Sequence, residues 1–414
     1  MNTYITPNDF ANVASSDSQA ISLAISEAQT KGINEIIIPK YNARTQTNVW
    51  EISEAILLPS HITVILDNCI LRQSDGCIDN VFRTQYTHTD PYKKHEQIHI
   101  IGRGSALIDG ANHNGLTEST SNKNGMPHII YNNMILLTNI ENFSICGITM
   151  RDMRWWAVNL IFASYGRIDN ITFDARDNIP NQDGIDLRVG CHDITISNIF
   201  GLAGDDLIAL SGFAGFEKRM GFWTEEKSPD IRNISIRNVV GASVTKAIIA
   251  LRNHDGIKLH DILIDGVFDT SEDNKSTPYA TVRIGQKTYS NIRFSTLSET
   301  SRITARNIHT YSGDAIMVNV SLENSVFENI FLSKTARSAL TTRSDWQAPG
   351  AVMRSVVVRG VFYDPGNTAS APIFDFVKEK DEEYFENVKL SDIFTTDNRK
   401  ILSSDYKNGI VTDF

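Results

Sequence analysis

The chain has 414 residues, with 39 lysines and arginines against 49 aspartates and glutamates, so its formal net charge at pH 7 is −10. An acidic chain offers no basic face for neutralising phosphates, which argues against nucleic acid as a partner. The hydrophobic fraction of 41% and the charged fraction of 21% are ordinary for a globular protein and exclude a disordered or collagen-like chain.

The N-terminal segment carries Asp9 and Asp17 and lacks a basic start followed by an apolar stretch, so we expect no secretory signal peptide there. No stretch reaches the roughly 18 apolar residues that a membrane span requires. Four cysteines without C-x-x-C spacing are too sparse for a disulfide framework. We therefore expect a cytoplasmic protein without a membrane partner, or a secreted one if a leader has been removed.

One amphipathic helix is predicted near the start of the chain, over residues 18–31, with Gly32 as its stop signal. It places four apolar residues on one face: Ile21, Ala24, Ile25 and Ala28. We expect this helix to belong to an N-terminal cap of about residues 1–60. After it, short runs of β-branched residues separated by Asn, Asp and Gly predict many brief strands.

These runs contain a repeated tetrad of an apolar residue, two mostly polar or small residues and a second apolar residue. The first positions are Ile145, Ile196, Ile236, Ile264, Phe327, Val358 and Leu390, with Phe173 and Ala305 as looser members. The basic step is 22 to 32 residues, and longer steps contain loop insertions. Such a step without helical segments is typical of one coil of a parallel β-helix.

Asparagine precedes an apolar residue in many of these coils. The positions are Asn142, Asn170, Asn198, Asn233, Asn307 and Asn329. Because asparagine tolerates the left-handed αL conformation, we expect these residues at the corners of coils. The predicted fold is therefore all-β, a single-stranded right-handed parallel β-helix that forms one domain over residues 1–414. A β-sandwich is disfavoured because hairpin turns such as Asn-Gly are scarce.

Coils stacked in register bring residues of equal offset to about 4.8 Å from each other. Counting ten residues on from the tetrads gives one stripe: Trp155, Asp183, Asp206, Lys246 and Arg337, with Arg283 in the coil that carries an insertion. Adjacent carboxyls raise each other's pKa, as a general acid requires. The stripe therefore predicts acid–base catalysis by the aspartates and binding of an anionic sugar by the cations. Solvated Asp-Asp and Asp-Gly turns are the alternative.

Other candidates are weaker. Strand alternation would bury one of Trp155 and Trp156 and expose the other, so Trp155 is predicted either to stack on a sugar or to pack in the core. The aromatic-rich insertion over residues 212–230 is predicted either to form a wall of the cleft or to cover a neighbouring subunit. Two His-Asp pairs that begin at His192 and His260 each stand four residues before a tetrad and are attributed to the repeat. We predict no metal and no cofactor.

The segment over residues 181–212 resembles the signature region of glycoside hydrolase family 28, the polygalacturonase and rhamnogalacturonase type enzymes. The family's N-T-D motif continues as G-x-D, and here the sequence from Asn181 to Asp186 reads N-Q-D-G-I-D; the family's G-D-D is G-D-D at residues 204–206. The resemblance implies that Asp205 is the general acid, that Asp183 and Asp206 position and deprotonate the attacking water, and that Asn181 and Asp186 support substrate binding. It also implies inversion without a metal.

The sequence departs from the family in two places. The family's G-H-G reads T-K-A at residues 245–247, and its R-I-K reads R-I-G at residues 283–285, with Lys287 two places later. In polygalacturonases that lysine binds the substrate carboxylate, so its displacement argues against plain polygalacturonan as the substrate. The resemblance then implies a hydrolase of a different, decorated or oligomeric pectic or other acidic glycan, with Lys246, Arg283 and Lys287 as binding residues. A polysaccharide lyase with Lys246 or Arg283 as its base, and a non-catalytic glycan-binding β-helix, remain open. The oligomeric state, including a homo-oligomer, is also left open.

Overall fold

The computed structural model describes residues 4–112, 129–175, 181–219, 221–271, 278–286, 293–343, 348–376, 384–395, 399–403 and 409–413. The chain divides into two compact units. The first comprises residues 1–186 and 199–204, and the second comprises residues 187–198 and 205–414. Strands dominate both units, and none of the helices in the described ranges is long and apolar enough to cross a membrane.

The first unit opens with a 3-10 turn, Pro7–Phe10, and helix α1, Asp17–Thr30. The hydroxyl of Ser16 caps α1 by accepting a hydrogen bond from the Gln19 amide at 3.0 Å. All four residues of the predicted apolar face are buried, and Gly32 adopts a positive φ of 65° just after the helix. The predicted helix is therefore confirmed to within one residue at each end.

Ten strands follow in the first unit: β1 Glu35–Pro39, β2 Val49–Ile52, β3 Ile56–Leu58, β4 Ile62–Asp67, β5 Ile70–Gln73, β6 Phe82–Thr84, β7 His95–Arg103, β8 Leu107–Asp109, β9 Ile135–Arg151 and β10 Val158–Asp174. A 3-10 turn, Ile129–Asn132, precedes β9. β1 pairs in parallel with β4, β2 with β5 and β3 with β6, and β7 continues the series. Parallel pairing with the strand one coil later is the arrangement of a parallel β-helix. Helix α1 packs against β1, β2 and β3.

The next two strands, β11 Ile185–Leu187 and β12 His192–Ala203, contain residues of both units. The second unit continues with β13 Ile208–Gly212, helix α2 Ala214–Arg219, β14 Ile231–Ser243, β15 Ala247–Asn253, β16 Leu259–Asp269, β17 Ala280–Ile284, β18 Thr300–Val318, β19 Leu322–Ala336, β20 Leu340–Thr342, β21 Met353–Tyr363, β22 Phe374–Phe376, β23 Phe385–Glu386, β24 Val388–Phe394 and β25 Ile410–Asp413.

Two parallel ladders run through the second unit. We call the first the site ladder; it comprises β13, β15, β17, the C-terminal half of β18, β20 and β22. The other comprises β14, β16, the N-terminal half of β18, β19, β21, β24 and β25. Each ladder repeats one strand per coil, so the predicted parallel β-helix pairing is found within this unit as well. A single right-handed solenoid over the whole chain stays a prediction.

The tetrads of the second unit stack as predicted, but the tetrad that was assigned to Phe173 does not. The tetrad positions pair in one column of the second ladder: Ile236, Ile264, Ala305, Phe327, Val358 and Leu390. In the first unit, however, Ile145 pairs with Ile168 and Met150 with Phe173. The tetrad of that coil therefore begins at the buried Ile168, and the count from Phe173 to Asp183 was wrong.

The predicted corner asparagines are confirmed. Asn142, Asn170, Asn198, Asn233, Asn307 and Asn329 all adopt left-handed backbone conformations, with φ between 54° and 60°. Asp193 and Asp261, which follow the two histidines attributed to the repeat, have φ of 55° and 58°. Each of these residues lies inside one of the longer strands, where a left-handed conformation redirects the chain, which explains why asparagine and aspartate recur at these positions.

Candidate functional site

The candidate site lies where the first strands of the site ladder begin. Because Ile208 pairs with Ile249, Asp206 is level with Ala247 and Asp205 is level with Lys246. The predicted pairing of Asp206 with Lys246 was therefore wrong by one residue. Its cause is an extra residue after the tetrad: the step from Ile208 to its partner is 41 residues, whereas the tetrads are 40 apart.

Asp206 is a buried carboxylate held by fixed donors. Only 1% of its surface is exposed. Arg283 Nη2 donates to both of its oxygens, at 2.8 and 3.0 Å, and the Ala247 amide donates to Oδ1 at 2.9 Å. Arg252 Nη2 lies 3.5 Å from Oδ2. A buried ion pair with several donors holds the carboxylate in one orientation.

Small side chains let Arg283 reach Asp206. Arg283 is level with Ala250, which in turn is level with Ala209, so its side chain crosses two coils to the carboxylate. Both alanines belong to a buried apolar cluster beside the site. Arg283 itself is only 1% exposed. Its guanidinium therefore positions Asp206 and is not presented to solvent, as direct binding of a substrate by Arg283 would require.

Asp205 differs from its neighbour because it is half-buried and its pKa is raised. Burial is the main cause of the higher pKa and the charge of Asp206 adds to it, whereas Lys246, Arg252 and Arg283 oppose it. The turn is tied down from the next coil, since Ser243 Oγ donates to the Asp205 carbonyl at 2.6 Å. A carboxyl with a raised pKa next to an ion-paired carboxylate is the arrangement that an acid and a base require.

Two cations flank the pair. Lys246 lies level with Asp205, and its Nζ is 6.0 Å from the centre of the Tyr279 ring. Arg252, which the sequence reasoning missed, donates from Nη2 to Ser211 Oγ at 3.1 Å and stacks 5.5 Å from the Phe213 ring. Strand alternation could have found it, because Arg252 follows Ala250 by two residues and so shares its face.

The aromatic-rich insertion is partly helical. Phe213 leads into α2 and lies between the guanidinium of Arg188, at 5.4 Å, and the His254 ring, at 4.7 Å. Arg188 Nε donates to the buried Glu217 of α2 at 2.8 Å. This ion pair joins α2 to Arg188, the residue that directly follows β11.

The N-Q-D motif lies in the first unit. Gln182 Nε2 donates to the Met153 carbonyl at 2.7 Å, and the Ala157 amide donates to the Asp183 carbonyl at 2.9 Å. The amide of Gly204, the residue before Asp205, donates to the Gln182 carbonyl at 3.0 Å. This hydrogen bond joins the first residue of the G-D-D motif to the residue that precedes Asp183.

Several predicted substrate-binding residues are inaccessible. Trp155 is completely buried and Trp156 is 6% exposed, so the expected exposure of one ring was wrong. A buried ring cannot stack on a sugar, and Trp155 serves as core. Asp186 is also completely buried, and Asn181, 9% exposed, adopts φ of 62°. Lys287 lies outside the described residues.

The R-I-G sequence has a steric explanation. Gly285 adopts φ of 77°, and a Cβ added there would lie 2.3 Å from Val320 Cγ1. Both the left-handed backbone and this contact exclude a larger residue. A lysine at the third position of R-I-K is therefore incompatible with the structure of this chain.

Comparison with protein families matches the model described as "Glycosyl hydrolases family 28" over residues 92–220, a stretch that contains both aspartate motifs. Comparison with curated protein sequences gives no match. Among solved structures, the family 28 exopolygalacturonase of Yersinia enterocolitica aligns with a TM-score of 0.56 and 13% identity, covering 98% of this chain and 79% of its own.

A tailspike protein mutant of E. coli bacteriophage HK620, in complex with a pentasaccharide, aligns with a TM-score of 0.57 and 15% identity, covering 99% of this chain and 78% of its own. At such identities the structural likenesses show a shared fold alone. The parallel β-helix fold and the resemblance to glycoside hydrolase family 28, which the sequence motifs had indicated, are thus both found by comparison.

Proposed function

We propose that this chain is a glycoside hydrolase that cleaves O-glycosidic bonds of a pectic or other acidic poly- or oligosaccharide by inversion. The observation that carries the proposal is the unequal pair of carboxyls on the site ladder. Asp205 is half-buried with a raised pKa, and the adjacent Asp206 is buried and ion-paired with Arg283. The family match over both aspartate motifs supports the same reaction class.

In the proposed reaction Asp205 gives its proton to the glycosidic oxygen as the bond to the anomeric carbon breaks. Water attacks that carbon from the opposite face and loses a proton to the carboxylates of Asp183 and Asp206. Inverting enzymes usually separate the acid and base carboxyls by roughly 6.5–9.5 Å, whereas one oxygen of Asp205 lies within 4.8 Å of one of Asp206, so inversion is proposed from the family resemblance and not from this distance. Arg283 and the Ala247 amide hold Asp206 in place. Lys246 and Arg252 supply positive charge for an acidic sugar.

Of the two residues considered as the base of a lyase, Arg283 is excluded. A guanidinium is not deprotonated in proteins, and Arg283 is committed to Asp206. Lys246 alone remains for that role. The product distinguishes the two reactions, since elimination leaves an unsaturated sugar that absorbs in the near ultraviolet, whereas hydrolysis adds water.

The test incubates the purified chain with pectic, rhamnogalacturonan and other acidic oligosaccharides and identifies the products by mass. We expect new reducing ends and masses that include one added water. Asp205→Asn should lower turnover by about 10²–10⁴-fold, the usual contribution of a general acid, while binding persists. Asp413→Asn, a change at an exposed aspartate of β25, is the matched control and should keep full activity.

Two results would contradict hydrolysis. Products lighter by one water would identify a lyase. Binding of acidic oligosaccharides without turnover of any of them, unchanged in Asp205→Asn, would identify a glycan-binding protein.

A further inference from the structure

The site ladder contains a second carboxyl held by arginines, outside the site already described. Asp206 is level with Ala247, Ala247 with Ala280, and Ala280 with Asp314. Asp314 therefore occupies the same column as Asp206, three coils further along the ladder. At about 4.8 Å per coil, the two carboxyls are about 14 Å apart.

Asp314 repeats the arrangement of Asp206 with different arginines. Its side chain is 4% exposed, and its Oδ2 accepts from Arg337 Nη2 at 2.7 Å and from Arg343 Nη2 at 3.1 Å. Unlike Arg283, however, both arginines reach solvent: their side chains are 40% and 25% exposed. One buried carboxyl thus holds two accessible guanidinium groups side by side.

These arginines retain capacity for an additional anion. A guanidinium carries five N–H donors. Among the described residues, the guanidinium hydrogen bonds of Arg337 and Arg343 are made by Nη2 alone, to Asp314 and, for Arg337, also to the Tyr279 carbonyl at 3.5 Å. Burial raises the pKa of Asp314 to about 7, with Arg343 opposing and Asp375 reinforcing the shift, so its negative charge is only partly developed near neutrality. The arginines are therefore incompletely neutralised from within the protein.

The geometry points to an anion-binding subsite in which Arg337 and Arg343, oriented by Asp314, bind the carboxylate of a uronic acid in an acidic glycan. Paired guanidinium groups match a carboxylate through parallel, charge-assisted hydrogen bonds. The inference rests on the proposed function for its substrate class. A chain of a few sugars that starts at Asp205 and follows the site ladder would place a later uronate here.

The test measures binding by calorimetry in the Asp205→Asn background, so that turnover does not consume the ligand. The probes are a galacturonate tetramer and its fully methyl-esterified form, which has the same length but no charge. The parent should bind the charged tetramer more tightly. Arg343→Gln and Arg337→Gln should each lower affinity for it about tenfold or more, the size of one charge-assisted hydrogen bond, and leave the ester unchanged.

Arg359→Gln is the control, because Arg359 is an exposed arginine paired with Glu328 on the other ladder. It should preserve the preference for the charged tetramer. The ratio of the two affinities is measured on the same protein sample, so a modest loss of stability in a variant does not affect it. An undiminished ratio of the two affinities in both arginine variants, or failure of the parent to bind the charged tetramer, would overturn the subsite.

The outcome is distinguishable from that of the proposed reaction. If the unmodified chain hydrolyses no acidic glycan, yet charge-selective binding depends on both arginines, the subsite stands and the hydrolase proposal falls. If it hydrolyses acidic glycans and both variants keep the parent's full charge selectivity, the hydrolase proposal stands and the subsite falls.

Discussion

In the second unit, two columns of residues stack in register, but they bring together different kinds of side chain. The charged column, through Asp206 and Asp314, places two buried carboxyls within reach of arginines from neighbouring positions. The second ladder carries instead a ring column: Phe268, His309, Phe331, Phe362 and Phe394. Its successive centroids are 4.3, 6.5, 4.7 and 4.9 Å apart.

The ring column stacks aromatic rings on aromatic rings at half-exposed positions. Phe268, Phe331 and Phe394 are 48%, 44% and 54% exposed. Each interior ring gains two stacking neighbours without desolvating a charge, whereas the charged column must satisfy every buried ion. Stacking in register therefore stabilises the ring column at little cost in desolvation. In the charged column, by contrast, each buried charge depends on its own partner.

The largest stability effect is expected from breaking the charged column. Arg283→Met leaves Asp206 buried without its main partner, which should cost about 3–5 kcal/mol of unfolding free energy. Adding Asp206→Asn should recover part of that loss, since the uncompensated charge is gone. Urea denaturation of both single variants and the double variant measures the coupling. Strictly additive losses would contradict a direct Arg283–Asp206 interaction.

A pH effect should follow from Asp314. Its pKa in the folded chain, about 7, lies above the unfolded value of about 3.9, so the protonated form favours folding. This contribution is complete below pH 4 and is lost as the pH rises to 7, by up to about 1.4 kcal/mol per unit. Asp314→Asn should remove that slope. The difference between the two stability profiles isolates Asp314 from other titrating groups, and parallel profiles would refute the assignment.

A smaller loss of stability is expected when the space that the Arg283 side chain crosses is filled. Ala250→Leu adds side-chain volume where the guanidinium crosses to Asp206, and overpacking a tight site costs about 1–3 kcal/mol. Because Arg283 would be displaced, catalytic activity should fall together with stability. Ala250→Ser is the control. Serine is nearly the size of alanine, so this variant should retain both catalytic activity and stability. Full activity in Ala250→Leu would show that the position of Arg283 is unimportant.

The smallest effect is expected in the ring column. Phe331→Ala removes two stacking contacts and should cost about 1–2 kcal/mol, at about 0.5–1.5 kcal/mol per aromatic pair. Phe394→Ala, at the end of the described column, removes one contact and should cost about half as much. Thermal unfolding measures both, and activity should not change in either. Equal losses would show that the rings contribute through burial and not through stacking.

Local sequence patterns were sufficient for the β-helix pairing and its corners. The tetrads from Ile236 onwards and the six asparagines depend on residue type at a fixed spacing, so they could be recognised without coordinates. The motifs at Asp183 and at Asp205–Asp206 were recognised for the same reason. The count failed at Phe173 and between Asp206 and Lys246, because one or a few extra residues in a coil shift every later position.

The amino-acid sequence alone identified the fold class, the family resemblance and the aspartates, because spacing and motif letters express them directly. Only the folded chain showed that Arg283 is committed to Asp206, that Arg252 joins them, that Trp155 is buried and that Gly285 excludes a lysine. Such properties arise from side chains on different coils, as Arg252 and Arg283 meet Asp206 across 46 and 77 residues of sequence. No local pattern records the direction or reach of a side chain toward such a distant partner.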